Sequence, residues 1–96
     1  MNIEELFGII EERIKDKSKN KKSYTNQLLK KGPKKIAQKF GEEASELIVD
    51  YLKGSKKRTI EEAADVIYHL LVLLKSKKIN LKELNNELFK RHKNVR

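Results

Sequence analysis

Residues 35–74 read KIAQKFGEEASELIVDYLKGSKKRTIEEAADVIYHLLVLL, and the spacing within them decides the fold. Ile36, Phe40, Ala44, Leu47 and Tyr51 recur every three to four positions. That is the period of an amphipathic helix and not the alternation of a strand. The turn GSKKR ends the pattern, and a second helical pattern follows near 60–77, with Thr59 and Glu62 in the spacing of a capping box. A short break between two long helices makes them antiparallel neighbours. Ile60, Ala63, Ala64, Val66, Ile67 and the run Leu70 to Leu74 cover most of the circumference of the second helix. A helix apolar on nearly every side is buried on more than one face. Five short helices cannot enclose it, so a twofold homodimer with this helix near the interface is expected.

Working outward, Ile3, Leu6, Ile10 and Ile14 mark a first amphipathic helix over roughly 2–16. DKSKNKKS, residues 16–23, has no apolar residue and reads as a loop. Ser23 to Lys31 is a short helix with Ser23 as N-cap and Gly32 as stop. Pro33 opens the long helix that runs to Gly54, because its missing N–H costs nothing in a first turn. Gly41, inside that helix, is expected to admit a close neighbour. Asn80 and Glu83 form a capping box for a last helix near 81–92 that packs Leu81, Leu84 and Leu88. The expected fold is therefore all-α: four to five helices in an antiparallel bundle, one domain over residues 1–96, completed by homodimerisation.

Composition narrows the function. The chain has 96 residues, no Cys, and a net charge of +9. Disulfide scaffolds, thiolate zinc sites and cysteine nucleophiles are excluded. The apolar run from Leu70 to Leu74 is far short of the ~20 residues of a membrane span, and the N-terminus has no signal-like apolar region. A cytoplasmic protein without a membrane partner is expected. The positive charge points to a polyanionic partner. It is concentrated at Lys15–Lys35 and Lys75–Arg96, while half of the 14 acidic residues fall between Gln38 and Leu70. A protein that only gripped phosphates would have no use for that concentration.

The acids form two stripes. Glu43, Glu46 and Asp50 are spaced i, i+3, i+7 on the long helix and lie within about 60° of one another at ~100° per residue. Lys35 and Lys39 continue that stripe toward the helix start. Glu62, Asp65 and His69 repeat the spacing on the next helix. Folding the hairpin about Lys56 sets residue 46 opposite 66, 50 opposite 62 and 43 opposite 69, so that Glu43, Glu46, Glu62 and Asp65 converge. Each residue also has a plainer reading. Glu62 completes a capping box, Asp65 complements a helix start, Glu46 and Asp50 pair with surface lysines, and His69 is a hydrogen-bonded, partly buried histidine. The joint placement favours a site, because Asp65 and His69 occupy the one polar strip of an otherwise apolar helix. Carboxylates at that density repel unless a cation neutralises them, and oxygen-only ligands select Mg²⁺ or Mn²⁺.

The pattern E-x-x-E at Glu43–Glu46, fifteen residues, then E-x-x-D at Glu62–Asp65 resembles the all-α nucleoside triphosphate pyrophosphohydrolases, the MazG-like superfamily. Within it the stretches SYTNQLLKKGPKKIAQKFGEEASE, EEAADVIYHLLVLL and LKELNNELFKRH are most similar to the phosphoribosyl-ATP pyrophosphohydrolase family of histidine biosynthesis, over about residues 3–92. The resemblance implies Mg²⁺-dependent hydrolysis of an α–β phosphoanhydride, phosphoribosyl-ATP giving phosphoribosyl-AMP and pyrophosphate. It assigns Glu43, Glu46, Glu62 and Asp65 to the metal and catalysis, with Glu42 in reserve. Lys35, Lys39 and His69 are the expected substrate contacts, with Lys31 a further candidate for the phosphates. It also implies the single-function form, without a cyclohydrolase domain. The alternatives are a MazG-type house-cleaning nucleotide pyrophosphatase and, from another class, a small basic helical nucleic-acid-binding protein. No helix-turn-helix turn, aromatic platform or zinc spacing supports the last, and no nucleic-acid partner is expected.

Overall fold

The computed structural model describes residues 1–15 and 23–92. Among these are five helices and no strand: α1 (Ile3–Lys15), α2 (Tyr24–Lys31), α3 (Pro33–Lys53), α4 (Lys56–Ser76) and α5 (Leu81–His92). The all-α expectation holds. The lysine-rich segment at 16–22, read above as a loop, lies outside the described residues.

The spine is the α3–α4 hairpin, and α1 and α2 lie against it. Gly32 separates α2 from α3 at φ 91°, a left-handed conformation suited to glycine, and its N–H donates to the Leu29 carbonyl at 3.1 Å. Gly54 ends α3, donating to the Asp50 carbonyl at 2.8 Å. A Cβ on Gly54 would lie 2.6 Å from Asp50 Oδ1, so the turn needs glycine for space. Only Gly54 and Ser55 separate the two long helices. Ser55 is the N-cap of α4, its Oγ accepting from the Arg58 N–H at 3.1 Å.

Two expectations about this hairpin are corrected here. The fourth helix starts a turn earlier than predicted, and Thr59 is not its cap. Thr59 Oγ1 instead donates to the Ser55 carbonyl at 2.9 Å and to the Asp50 carbonyl of α3 at 3.2 Å, tying the helices together. Glu62 is thereby released from any capping role. A Cβ on Gly41 would meet nothing within 4 Å, so among the described residues that glycine admits no close neighbour.

The core is small. Phe7 and Ile10 of α1, Leu28 of α2, Ile36 of α3, and Leu71 and Val72 of α4 are buried together. Each contributes about 1.5–3 kcal/mol relative to an exposed side chain. Lys75 donates to Glu11 Oε2 at 2.8 Å, and its ammonium lies 5.7 Å from the centre of the Phe7 ring, closing α1 onto α4. The end of α4 is a Schellman turn. Lys78 N–H donates to the Lys75 carbonyl and Ile79 N–H to the Leu74 carbonyl, both at 2.9 Å. Lys78 sits at the left-handed position with φ 62°. The predicted capping box of α5 is present, with Asn80 Oδ1 accepting from Glu83 N–H at 2.9 Å and Glu83 Oε1 accepting from Asn80 N–H at 3.1 Å.

Burial is uneven along the hairpin. The second half of α4 is in the core, while Ile60 in its first turns is 60% exposed. On α3, Ile48, Val49, Tyr51 and Leu52 are exposed beside it, although Tyr51 was expected on the packed stripe. Helix α5 has no buried residue, and Leu88 and Phe89 face outward.

Candidate active site

The register of the hairpin positions the site. Asp50 lies against Arg58 and Thr59, and Glu43 against Glu62 and Asp65. The expected register, with 50 opposite 62 and 43 opposite 69, is therefore wrong by about one helical turn. The cause is the early start of α4. A slip of one turn returns each residue to nearly the same face, so the two acidic stripes still meet.

Glu43, Glu62 and Asp65 each bring one carboxylate oxygen within 4.8 Å of the others. Their environments differ: Glu62 is buried, Glu43 half-buried and Asp65 exposed. Glu46 is exposed and stands close to Glu62. The Glu62 carboxyl is held above its ordinary value, first by burial, then by the adjacent carboxyl of Glu46 and by the charges of Glu46 and Asp65, against the opposing charge of Arg58. One Glu62 oxygen accepts from Arg58 Nη2 at 2.6 Å, while its other oxygen, Oε2, is buried without a hydrogen-bond partner among the described residues. A buried carboxylate with one unpartnered oxygen, grouped with two further carboxylates, suits a hard divalent cation. The donor set therefore fits a hard divalent cation.

Arg58 was not anticipated as part of this arrangement. Its guanidinium also reaches Glu61 at 2.8 Å and Asp50 at 3.7 Å, and so supplies the positive charge at one end of the acid cluster. Its spacing, i−3 and i−4 to Glu61 and Glu62, was legible; an α4 thought to begin after it hid the relation.

At the other end of α3, Lys39 pairs with Glu42 at 3.2 Å and approaches Glu43 at 3.8 Å. Glu42 is turned away from the centre, accepting from Gln38 at 2.8 Å as well as from Lys39, and these two donors hold its carboxyl below the ordinary range. Lys31, Lys35 and Lys39 line a groove of about 200 Å³ with Tyr24, Gln27 and Leu28. The structure thus brings Lys35 and Lys39 into one groove and joins it to the acids through Lys39. His69 is buried one turn beyond Asp65, and both of its ring nitrogens face protein partners. Nδ1 is 2.8 Å from the Asp65 carbonyl oxygen and Nε2 is 3.0 Å from the Tyr24 hydroxyl.

Facing carboxylates on an antiparallel α-hairpin, with lysines continuing along one helix, are an arrangement that suits an all-α hydrolase acting on phosphoanhydrides. Comparison with known proteins gives the family. Residues 3–92 match the model of the phosphoribosyl-ATP pyrophosphohydrolase family, and the chain belongs to it. It is 51% identical over 69 residues to the phosphoribosyl-ATP pyrophosphatase of Paracoccus denitrificans, covering 72% of this chain and 64% of that protein. It is 46% identical over 91 residues to the phosphoribosyl-ATP pyrophosphatase of Metallosphaera sedula, covering 95% of this chain and 96% of that protein. It also matches the histidine biosynthesis bifunctional protein HisIE of Staphylococcus aureus, 45% identical over 75 residues, or 78% of this chain and 36% of that protein.

Proposed function

We propose that this chain is a cytoplasmic phosphoribosyl-ATP pyrophosphatase of histidine biosynthesis, residues 1–96 forming one domain. Water attacks the α-phosphorus of phosphoribosyl-ATP, the α–β bond breaks, and phosphoribosyl-AMP and pyrophosphate leave. The observation that carries this is the convergence of Glu43, Glu62 and Asp65, of which Glu62 is buried with one oxygen unpartnered among the described residues. Glu43, Glu46, Glu62 and Asp65 would hold a divalent cation, Mg²⁺ or Mn²⁺. When bound, such a cation offsets charge on the phosphates and favours departure of the anionic leaving group.

The chain's own residues do the rest. Glu62, buried and fixed by Arg58, is the rigid member of the set. Asp65 and Glu46 are exposed and open to the attacking water, whose proton they can accept. Lys39 and Lys35 stand about one and two turns before Glu43, ~6 and ~12 Å along the axis, where they contact the phosphates beyond the cleaved bond. Lys31 extends that line. His69 acts on substrate through Tyr24, since its own nitrogens are engaged.

The exposed apolar residues Ile48, Val49, Leu52 and Ile60 form the contact of a homodimer. Sedimentation equilibrium at micromolar concentration should give twice the chain mass of 11.3 kDa, and a monomer mass would remove the dimer from the account.

The activity is tested by product analysis with phosphoribosyl-ATP and with a panel of nucleoside triphosphates. Pyrophosphate and phosphoribosyl-AMP from the first substrate, with the panel turned over far more slowly, is the expected result. Preference for an ordinary nucleoside triphosphate would instead make this a house-cleaning pyrophosphatase.

A further inference from the structure

Ser23-Tyr24-Thr25 is a part of the family-like pattern to which the reaction above gives little role. Tyr24 opens α2, is 44% exposed, and lines the lysine groove. The hydrogen bonds behind it fix what it can offer. The Asp65 carbonyl can only accept, so His69 Nδ1 carries a proton and donates to it. In the neutral imidazole Nε2 is then an acceptor, and the Tyr24 O–H donates into it at 3.0 Å. The Tyr24 phenol is held above its ordinary value, chiefly by burial, with Tyr68, Glu43 and Glu42 acting in the same direction and Lys39 against them. Its proton is therefore retained and committed to His69.

The ring is what remains for a ligand. His69 meets it edge-on at 5.8 Å between centroids, and Tyr68 lies tilted at 6.0 Å. Tyr68 is in turn hydrogen-bonded through its hydroxyl to Thr25 Oγ1, and Thr25 is buried. An aromatic ring held by a histidine and a second tyrosine, and 44% exposed, costs little entropy to dock against. It stands in a groove that carries cations along one wall and leads to the carboxylates at one end. Ring, cations and carboxylates together match a nucleobase, its phosphates and the bond to be cleaved.

We propose that Tyr24 is the base-contacting residue of the site, its exposed ring stacking on the purine of the substrate while His69, Tyr68 and Thr25 act as positioning residues that hold the ring in place. The assignment rests on reading the site as a phosphoribosyl-ATP pyrophosphatase. It predicts recognition through the ring and not through the hydroxyl.

The test compares the parent with Tyr24→Phe, Tyr24→Leu and Tyr24→Ala, each checked for helical content and melting. Equilibrium binding is measured with Mg²⁺ and two probes: α,β-methylene-ATP, and tripolyphosphate, which has the phosphates without the nucleoside. Leu and Ala are expected to weaken methylene-ATP by at least about tenfold, as lost base–aromatic stacking allows. Both should leave tripolyphosphate within about twofold, and Phe should leave both probes within about threefold. The Michaelis constant for phosphoribosyl-ATP should follow the methylene-ATP affinities while kcat changes less. Equal weakening of both probes, or a Phe variant as impaired as Ala, would overturn the proposal. A parent that binds methylene-ATP in this Tyr24-dependent way but releases no pyrophosphate from phosphoribosyl-ATP would uphold Tyr24 and refute the assigned reaction.

Discussion

Replacing Lys35 and Lys39 together with alanine separates substrate binding from folding. Lys35 is half-buried in the groove, and among the described residues Lys39 pairs with Glu42 and Glu43, its i+3 and i+4 neighbours. Such helix-surface pairs contribute about 0.3–0.5 kcal/mol each, so the double variant should lose no more than ~1 kcal/mol of stability. A domain of this size melts about 4–8 °C lower for each kcal/mol lost, which caps the change in Tm. Phosphate contacts are stronger, because hydrogen bonds to charged groups contribute about 1.5–3 kcal/mol. Lys39 must share its charge with Glu42 and Glu43, so the lower end of that range is appropriate for the pair. A single contact of that size already corresponds to roughly tenfold in KM. The assay is steady-state pyrophosphate release at low ionic strength, where screening is weakest. KM raised about tenfold or more with Tm nearly unchanged is expected. An unchanged KM would show that the phosphates are bound elsewhere and would refute the alignment argument along α3.

Other consequences are equally direct. Glu46→Gln or Asp65→Asn should abolish turnover yet raise the melting temperature of the metal-free protein, because each removes one of several like charges; calorimetry in chelator checks the second half. The metal-free protein should also lose stability as pH rises. Glu62 has its folded value raised above the ordinary 4.5, so the favourable contribution is complete below 4.5 and is lost as pH climbs through the raised value; denaturant midpoints between pH 4 and 8 should fall accordingly. Lys78→Gly should stabilise the fold by about 0.5–1 kcal/mol by relieving a left-handed backbone at φ 62°, read as a higher urea midpoint with unchanged slope.

The hairpin was legible because its signals were local: Pro33 and Gly54 bound α3, and apolar residues at helical spacing run through both arms. The start of α4 was misplaced because two caps competed. Thr59 with Glu62 has the more familiar capping-box chemistry, but Ser55 needs only the Arg58 N–H, and Lys56, Lys57 and Arg58 are good helix formers. The acids still converged, because an error of one turn preserves the face. What was hidden depends on long-range contacts. Tyr24 and His69 are 45 residues apart, and no spacing announces that one hydroxyl closes the other's hydrogen-bond chain. The weak packing of α5 was hidden too, since Leu81, Leu84 and Leu88 have a helical period whatever they face. Only Leu81 of the three packs, partly buried, against the core, and Leu88 faces outward.

The central claim is that Glu43, Glu46, Glu62 and Asp65 form one divalent-cation centre on which catalysis depends. Its most direct measurement is a calorimetric titration of the chelator-treated protein with Mg²⁺ and Mn²⁺, run on the parent and on Glu62→Gln, with melting followed in parallel. The parent should bind the cation, and at a hundredfold excess over Kd its stability should rise by about 2.7 kcal/mol, a Tm increase on the order of 10 °C. Glu62→Gln should lose that gain together with pyrophosphate release. A parent whose melting and hydrolysis ignore the cation, or a Glu62→Gln variant that binds it as tightly, would contradict the account.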